Sequence, residues 1–388
     1  MIGRRLAVAI AVCLRLLMQV RADAAEPIAG RRVLGEDAYF YRPSAIALAP
    51  NGAIYTAGTA AFADPANARA LSRPPVMFWV WKVGVDGSLQ RIELTNPIPG
   101  RSVPESFRAI SRIVPLTDGG AALVVEFVPG QPYLVRLDSK GAPVVSRSVP
   151  GLTQDARILD MVPTTGGHFL LVGRDGGDAL VMEIDADGAK VWNRTFDRGS
   201  IEQFTSVIAA ANSYVIAGEV SDGTIANPRK VWLMRISRSG TVMNETTFGG
   251  RNPSLAAWAG GDLAITYDSG LRFDENVLIR GLGGDLQPRW ETVLLRVSNT
   301  VPTAPRIAAT SDGFVVGGSK SGQLVLWRVD SAGHIVWSYL EKPASASWLT
   351  GVESLASSGV DVWAVSMMTS ETADRQPNFK VALLKVAK

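Results

Sequence analysis

Apolar and polar positions alternate along most of this chain in short runs, separated by turns rich in glycine, serine and aspartate. Segments such as "IALAPNGAIYTAG", "MVPTTGGHFLLVG", "VIAAANSYVIAG" and "IAATSDGFVVGG" each predict an apolar strand, a tight turn and a second strand. A third apolar run follows, with one long polar side chain flanked by large apolar ones. It occurs as "VWKV" at Lys82, "LVRL" at Arg136, "VMEI" at Glu183 and "LMRI" at Arg235, then as "LIRG" at Arg280, "LWRV" at Arg328 and "LLKV" at Lys385. The intervals are 54, 47, 52, 45, 48 and 57 residues, a period that marks a repeat array. In five copies a glycine stands four residues after the apolar residue that ends this run: Gly87, Gly141, Gly188, Gly240 and Gly333. A turn there, followed by a further polar-apolar run such as "KVWNRTF", predicts an outer fourth strand.

Four short antiparallel strands per repeat, seven times over, predict an all-β, seven-bladed β-propeller. The blades fall at about 42–97, 106–149, 156–198, 204–249, 253–298, 305–342 and 348–388, forming a single domain over 25–388. First strands such as "IALA", "VIAAA" and "IAAT" are rich in alanine, which suits the crowded axis of a ring. The seventh repeat reaches Lys388 directly after its third strand, leaving an edge that needs a partner. "GRRVLG", residues 30–35, precedes the first blade and is expected to pair with that edge and close the ring.

Residues 1–24 change the reading of charge and redox. Arg4 and Arg5, an apolar run from Leu6 to Val20, and Ala22-Asp23-Ala24 have the form of a secretory leader cleaved after Ala24. The apolar run is too short to span a bilayer, and no later stretch is long enough, so a periplasmic or secreted protein without a membrane span is expected. The chain carries 39 Lys+Arg and 36 Asp+Glu; the leader holds four of the former and one of the latter, leaving 35 of each. A balanced chain gives no basic field for nucleic acid. Cys13, the sole cysteine, lies in the leader, so the remainder forms no disulfide and is held by its core.

Candidate chemistry is sparse. Arg42, Arg108, Arg157 and Arg306 recur near the starts of first strands, where they would either receive an acidic ligand or pair with carboxylates such as Glu36, Glu105 and Asp155. Arg112, Asp160 and Glu353 interrupt otherwise apolar first strands and are expected to line the central channel. Two long connections, 59–76 and 366–380, belong to blades one and seven, neighbours in a closed ring, and suit a docking ridge on one face. His168 and His334, the chain's two histidines, map to the opposite face, which argues against a histidine-based triad or metal site at the long-loop mouth. Asp160 and Glu353 alone fall short of the six or more oxygens calcium takes. The sequons at Asn193 and Asn244 read as products of threonine-rich outer strands.

The repeat resembles the quinoprotein-dehydrogenase-like propellers of secreted bacterial proteins. Asp185, Gly188 and Trp192 carry the resemblance, as do Asp330, Gly333 and Trp337; Asp138 and Gly141 match with Val145 in place of tryptophan. The family's fuller docking motif has alanine two before the aspartate and threonine before the glycine, where this chain has Glu183 and Asp187, or Arg328 and Ala332. Such enzymes commonly have eight blades, a vicinal disulfide and a metal, so the resemblance extends to the fold and not to a cofactor. The expectation is therefore an exported, non-catalytic propeller, with no cofactor, that binds a protein partner or small ligand through its long-loop face and central channel. The alternative is a periplasmic enzyme, a quinone-dependent oxidoreductase or calcium-dependent hydrolase, acting in that channel.

Overall fold

The computed structural model describes residues 27–36, 39–62, 77–94, 107–127, 130–198, 201–221, 229–258, 262–269, 274–298, 304–342, 347–371 and 377–387. Residues 1–26, which include Cys13 and the segment read as a leader, lie outside them, as do Glu105 and most of the 59–76 connection. The described residues form seven antiparallel sheets arranged as the blades of a ring. Blade three is representative: Arg157–Pro163, Phe169–Asp175, Asp178–Ile184 and Lys190–Phe196 run from the axis outward. No helix among them is long and apolar enough to cross a membrane.

Burial follows strand position. Second strands lie between two neighbouring blades and are apolar on both faces; "AALVVEF", Ala121–Phe127, is buried at every position. Outer strands alternate between half-buried and exposed, as in Val242–Gly249, because only one face has a neighbour. Seven apolar clusters fill the seven junctions between successive blades, including that between blades seven and one. Each large side chain buried there contributes about 1.5–3 kcal/mol, so cohesion is distributed around the ring.

The ring closes through the N-terminal segment. Ile28–Leu34 pairs antiparallel with Pro377–Val386, the third strand of blade seven, with Arg32 opposite Leu383 and Leu34 opposite Val381. The strand starts two residues earlier than its sequence pattern suggests. Arg31 reaches back to the buried Glu341 at the end of blade six, N to O 2.7 Å. On the other side, Tyr41, Trp79 and Trp81 of blade one pack in the core that the closing strand's Leu34 completes.

The turns between third and outer strands are inter-blade clasps. Asp185 Oδ1 accepts hydrogen bonds from the backbone N–H groups of Asp187 and Ala189, at 2.9 and 2.8 Å, while Gly188 takes a φ of +81°. A side chain from the preceding blade covers the glycine: Trp192 lies against Gly240 and Trp290 against Gly333. Other blades reach the same turn through hydrogen bonds, Gln90 donating to the carbonyl of Lys140 and Arg136 to that of Ala186. Blade five, which lacks the glycine, makes the turn with Leu286 at a φ of +65°; its side chain is buried in the junction with blade four.

Two sequence expectations need correction. Most of 366–380 is strand, because Val362–Glu371 and Pro377–Val386 form one long hairpin. Met367 and Phe379 extend it by packing on Phe40 of blade one. Glu353 does not sit within a first strand either. That strand is broken into Ser347–Leu349 and Ser354–Ser357, and the chain between bends toward blade six. There Ser319 Oγ donates to the carbonyl of Thr350 and Val352 covers Gly317.

Candidate binding site in the channel waist

First strands of blades one to five carry irregular register where they face the axis: at Pro43/Ala45, Phe107/Ala109 and Ile110/Arg112, Ile158/Asp160, Phe204/Ser206 and Arg251/Ser254. A bulge leaves a residue out of the ladder and turns it toward open space. Ser44, Ser111, Leu159 and Thr205 are among the residues so displaced, and these four line a small cavity of about 130 Å³ on the axis. Arg112, Asp160, Ser206, Ser254, Arg306 and Glu353 complete its polar wall. Every blade therefore contributes to one narrow polar layer, the waist of the channel.

The same bulges set up hydrogen bonds from blade to blade around the waist. Ser44 Oγ donates to the carbonyl of Ile110 at 2.8 Å, and Arg112 Nε lies 3.3 Å from Asp160 Oδ1. Asp160, 7% exposed, also accepts from the N–H of Met161 and, across to blade four, that of Val207, at 2.8 and 2.9 Å. Ser206 Oγ accepts from the N–H of Leu255, and Thr205 donates to the carbonyl of Pro253. Arg306 Nε donates to the backbone carbonyl of Glu353 at 3.1 Å.

Arg306 and Arg112 stand in different electrostatic situations. Arg112 has the Asp160 carboxylate beside it. Arg306 has its one hydrogen bond to a neutral carbonyl, and among the described residues its other four N–H donors have no hydrogen bond. Arg306 is half-buried on the channel wall, and desolvation there holds its pKa below the usual arginine value, with Glu353 and Asp160 opposing the shift. Desolvation likewise pushes the Glu353 carboxyl above the usual glutamate range, more than Arg306 pulls it down. Burial disfavours the charged form of each, so the waist holds one ion pair and a poorly solvated cation whose acidic neighbour is displaced toward neutrality.

Of the sequence candidates, the structure brings Arg112, Asp160, Arg306 and Glu353 together. Arg42 and Arg157 lie upstream of the bulges in their strands and do not line the waist; the side chain of Arg108 lies outside the described residues. Glu36 makes an ion pair with Arg91 of blade one's outer strand. The hydroxyls of Ser44, Ser111, Thr205, Ser206, Ser254 and Ser354 went unrecognised in the sequence. Their signal is a small polar residue just before the apolar part of a first strand, as in "PSAI", "ISRI", "TSVI" and "ESLA".

Both histidines are far from the waist. His168 follows the turn Thr165–Gly167 and has Nδ1 3.3 Å from Glu183 Oε1; His334 lies in a turn with Nδ1 3.1 Å from Asp330 Oδ2. A carboxylate group does gather elsewhere: Asp178, Asp197 and Glu202, at the junction of blades three and four, bring ligand atoms within 4.8 Å of one another.

No family model matches the sequence, and no curated protein matches it. Solved structures do match its fold. A catalytically inactive virginiamycin B lyase from Staphylococcus aureus, crystallised with quinupristin, superposes with a TM-score of 0.54 at 14% identity, over 92% of this chain and 99% of that one. The polysaccharide lyase Uly1 gives 0.57 at 9% identity, over 93% and 99%. Drosophila plexin A, in complex with semaphorin 1b, gives 0.53 at 8% identity, over 92% and 87%. At such identities the likeness is one of fold. It supports the seven-bladed propeller through two lyases and a plexin, and is not specific to the quinoprotein kind.

Proposed function

We propose that the protein is an exported, non-catalytic binding propeller that takes a small acidic ligand into the waist of its channel, with Arg306 as the principal contact. The carrying observation is the guanidinium of Arg306, desolvated on the channel wall with four donors directed to no protein acceptor among the described residues. A planar donor fork of this kind matches a carboxylate in two parallel hydrogen bonds. Arg112, held by Asp160, adds positive potential from blade two, across the channel. With one ion pair satisfied and Glu353 pushed toward its neutral form, the waist complements a single negative charge better than two.

The wall offers hydroxyls already engaged with neighbouring backbone and an aspartate held by two backbone N–H groups and one ion pair. These groups orient and hold; none is paired with a base in the manner of an activated nucleophile. Calorimetric titration of acetate into the folded chain, with acetamide as the neutral control, tests the reading. Acetate should bind and acetamide should not, and Arg306→Gln should weaken acetate at least tenfold. Equal binding of acetate to the wild type and to Arg306→Gln would overturn it, as would no acetate binding at all.

A further inference from the structure

We infer that the ligand is amphipathic: a monocarboxylate carrying an apolar chain, its head at Arg306 and its chain in the vestibule below the waist. This inference rests on the anion-binding reading above and adds the class of ligand. Beyond the waist the channel widens to about 770 Å³ toward the face formed by the turns between first and second strands, where Pro50, Ser311 and Val360 stand at the mouth. Its walls carry the alanines of the first strands, Ala47, Ala256, Ala257, Ala308, Ala309 and Ala356. Small side chains on strands converging at the axis leave width that larger residues would fill.

The polarity of this space is one-sided. Arg112 is the sole charged residue lining the vestibule among the described residues, and it lies at the upper end, where it also lines the waist. Ile208, Ile307 and Leu355 likewise line both spaces, so the polar and apolar parts share a wall. A wholly polar ligand would leave a large apolar volume filled with poorly bonded water. A wholly apolar one would cover Arg306 without an acceptor, and burying an unpaired cation is costly. A carboxylate with an aliphatic tail satisfies both parts at once, and the Ser311, Ser357 and Ser358 rim would let the far end meet water.

A series of straight-chain carboxylates, from acetate through butyrate and hexanoate to octanoate, tests this by calorimetry below their micelle concentrations. Affinity should rise about fourfold per methylene group until the vestibule is filled, the fold-change equivalent to about 0.8 kcal/mol per buried CH2. Octanoate should lose at least tenfold with Arg306→Gln. The double variant Ala257→Gln/Ala309→Gln narrows and polarises the vestibule without touching the waist. With its fold checked by circular dichroism, it should bind acetate as the wild type does and show no gain with chain length. Acetate binding through Arg306 without any gain for octanoate would overturn the amphipathic ligand and leave the anion site standing. Octanoate bound equally by wild type and Arg306→Gln would overturn it too, showing adsorption to apolar surface without the polar anchor. Failure of acetate to bind would remove the anion site itself.

Discussion

Arg32, on the strand that completes blade seven, donates from its guanidinium to the backbone carbonyl of Gly87 in blade one, at 2.8 Å. Gly87 occupies the same turn that Gly141, Gly188, Gly240 and Gly333 occupy in their blades, and those turns likewise receive a side chain from the blade before. The N-terminal strand thus does more than cover an edge: it makes the clasp onto blade one that a covalently continuous outer strand makes elsewhere. Deleting residues 25–36 should therefore lower the melting temperature sharply and broaden the transition, measured by circular dichroism. Arg31→Ala removes only the ion pair with Glu341. It should cost about 1 kcal/mol, read from the denaturant midpoint; an unchanged midpoint would show that this bridge adds nothing to closure.

Two glycines with the same backbone separate conformational cost from packing cost. Gly87 and Gly240 have φ values of +80° and +79°, yet a Cβ on Gly87 would meet nothing within 4 Å, whereas one on Gly240 would come within 2.7 Å of the Trp192 ring. Gly87→Ala should destabilise by about 1 kcal/mol, the cost of a left-handed L-residue. Gly240→Ala should cost about 1–3 kcal/mol more, because the indole must move. Equal losses in chemical denaturation would mean that Trp192 does not clasp blade four.

Asp160 fastens three blades. Its carboxylate accepts from its own neighbour Met161 and from Val207 of blade four, and makes an ion pair with Arg112 of blade two. Asp160→Asn puts an amide NH2 against at least one of these donors, so a loss of about 1–3 kcal/mol is expected. Urea midpoints for the variant and the wild type check the value; a neutral substitution would contradict the hydrogen-bonded waist.

Glu353 gives the waist a pH signature. Burial raises its folded-state pKa above the unfolded value, so the folded protein holds that proton more tightly. The associated stability is fully present below the unfolded pKa and is lost as pH rises through the folded one. Glu353→Gln cannot ionise and keeps the backbone carbonyl that Arg306 uses. It should equal the wild type in acid and exceed it in stability at neutral pH, compared by thermal melts across pH. Removing a negative charge near Arg306 should also tighten acetate at neutral pH.

The architecture was legible because it depends on features that sequence records directly. Apolar alternation, the left-handed glycines and the long polar residue of each third strand recur at intervals of 45 to 57 residues, and most blade junctions reuse them. The missing outer strand of blade seven and the spare "GRRVLG" segment made closure legible as well. Trp192 stood out as part of the repeat, although its contact with Gly240 depends on a neighbouring repeat.

The waist was only half legible. Arg112 and Asp160 stood out as charges among apolar residues, but the serines and threonine beside them looked like ordinary strand residues. What turns Ser44, Ser111 and Thr205 inward is the register shift of the first strands, and a small polar residue before an apolar run is a weak sign of it. Glu353 stood out with Arg112 and Asp160 as a channel residue, but the break in its strand did not, since it forms at contacts with Gly317 and Ser319 of another blade. Leu286 hid the turn of blade five by adopting glycine's conformation in exchange for burial.

The most direct test of the channel as a binding site is a crystal structure of the protein soaked with 3-bromopropanoate, with anomalous data collected at the bromine edge. The account predicts a bromine peak on the channel axis and carboxylate density within hydrogen-bond distance of Arg306, absent in Arg306→Gln crystals soaked alike. Bromine peaks confined to the outer surface, with no density at the waist, would contradict it.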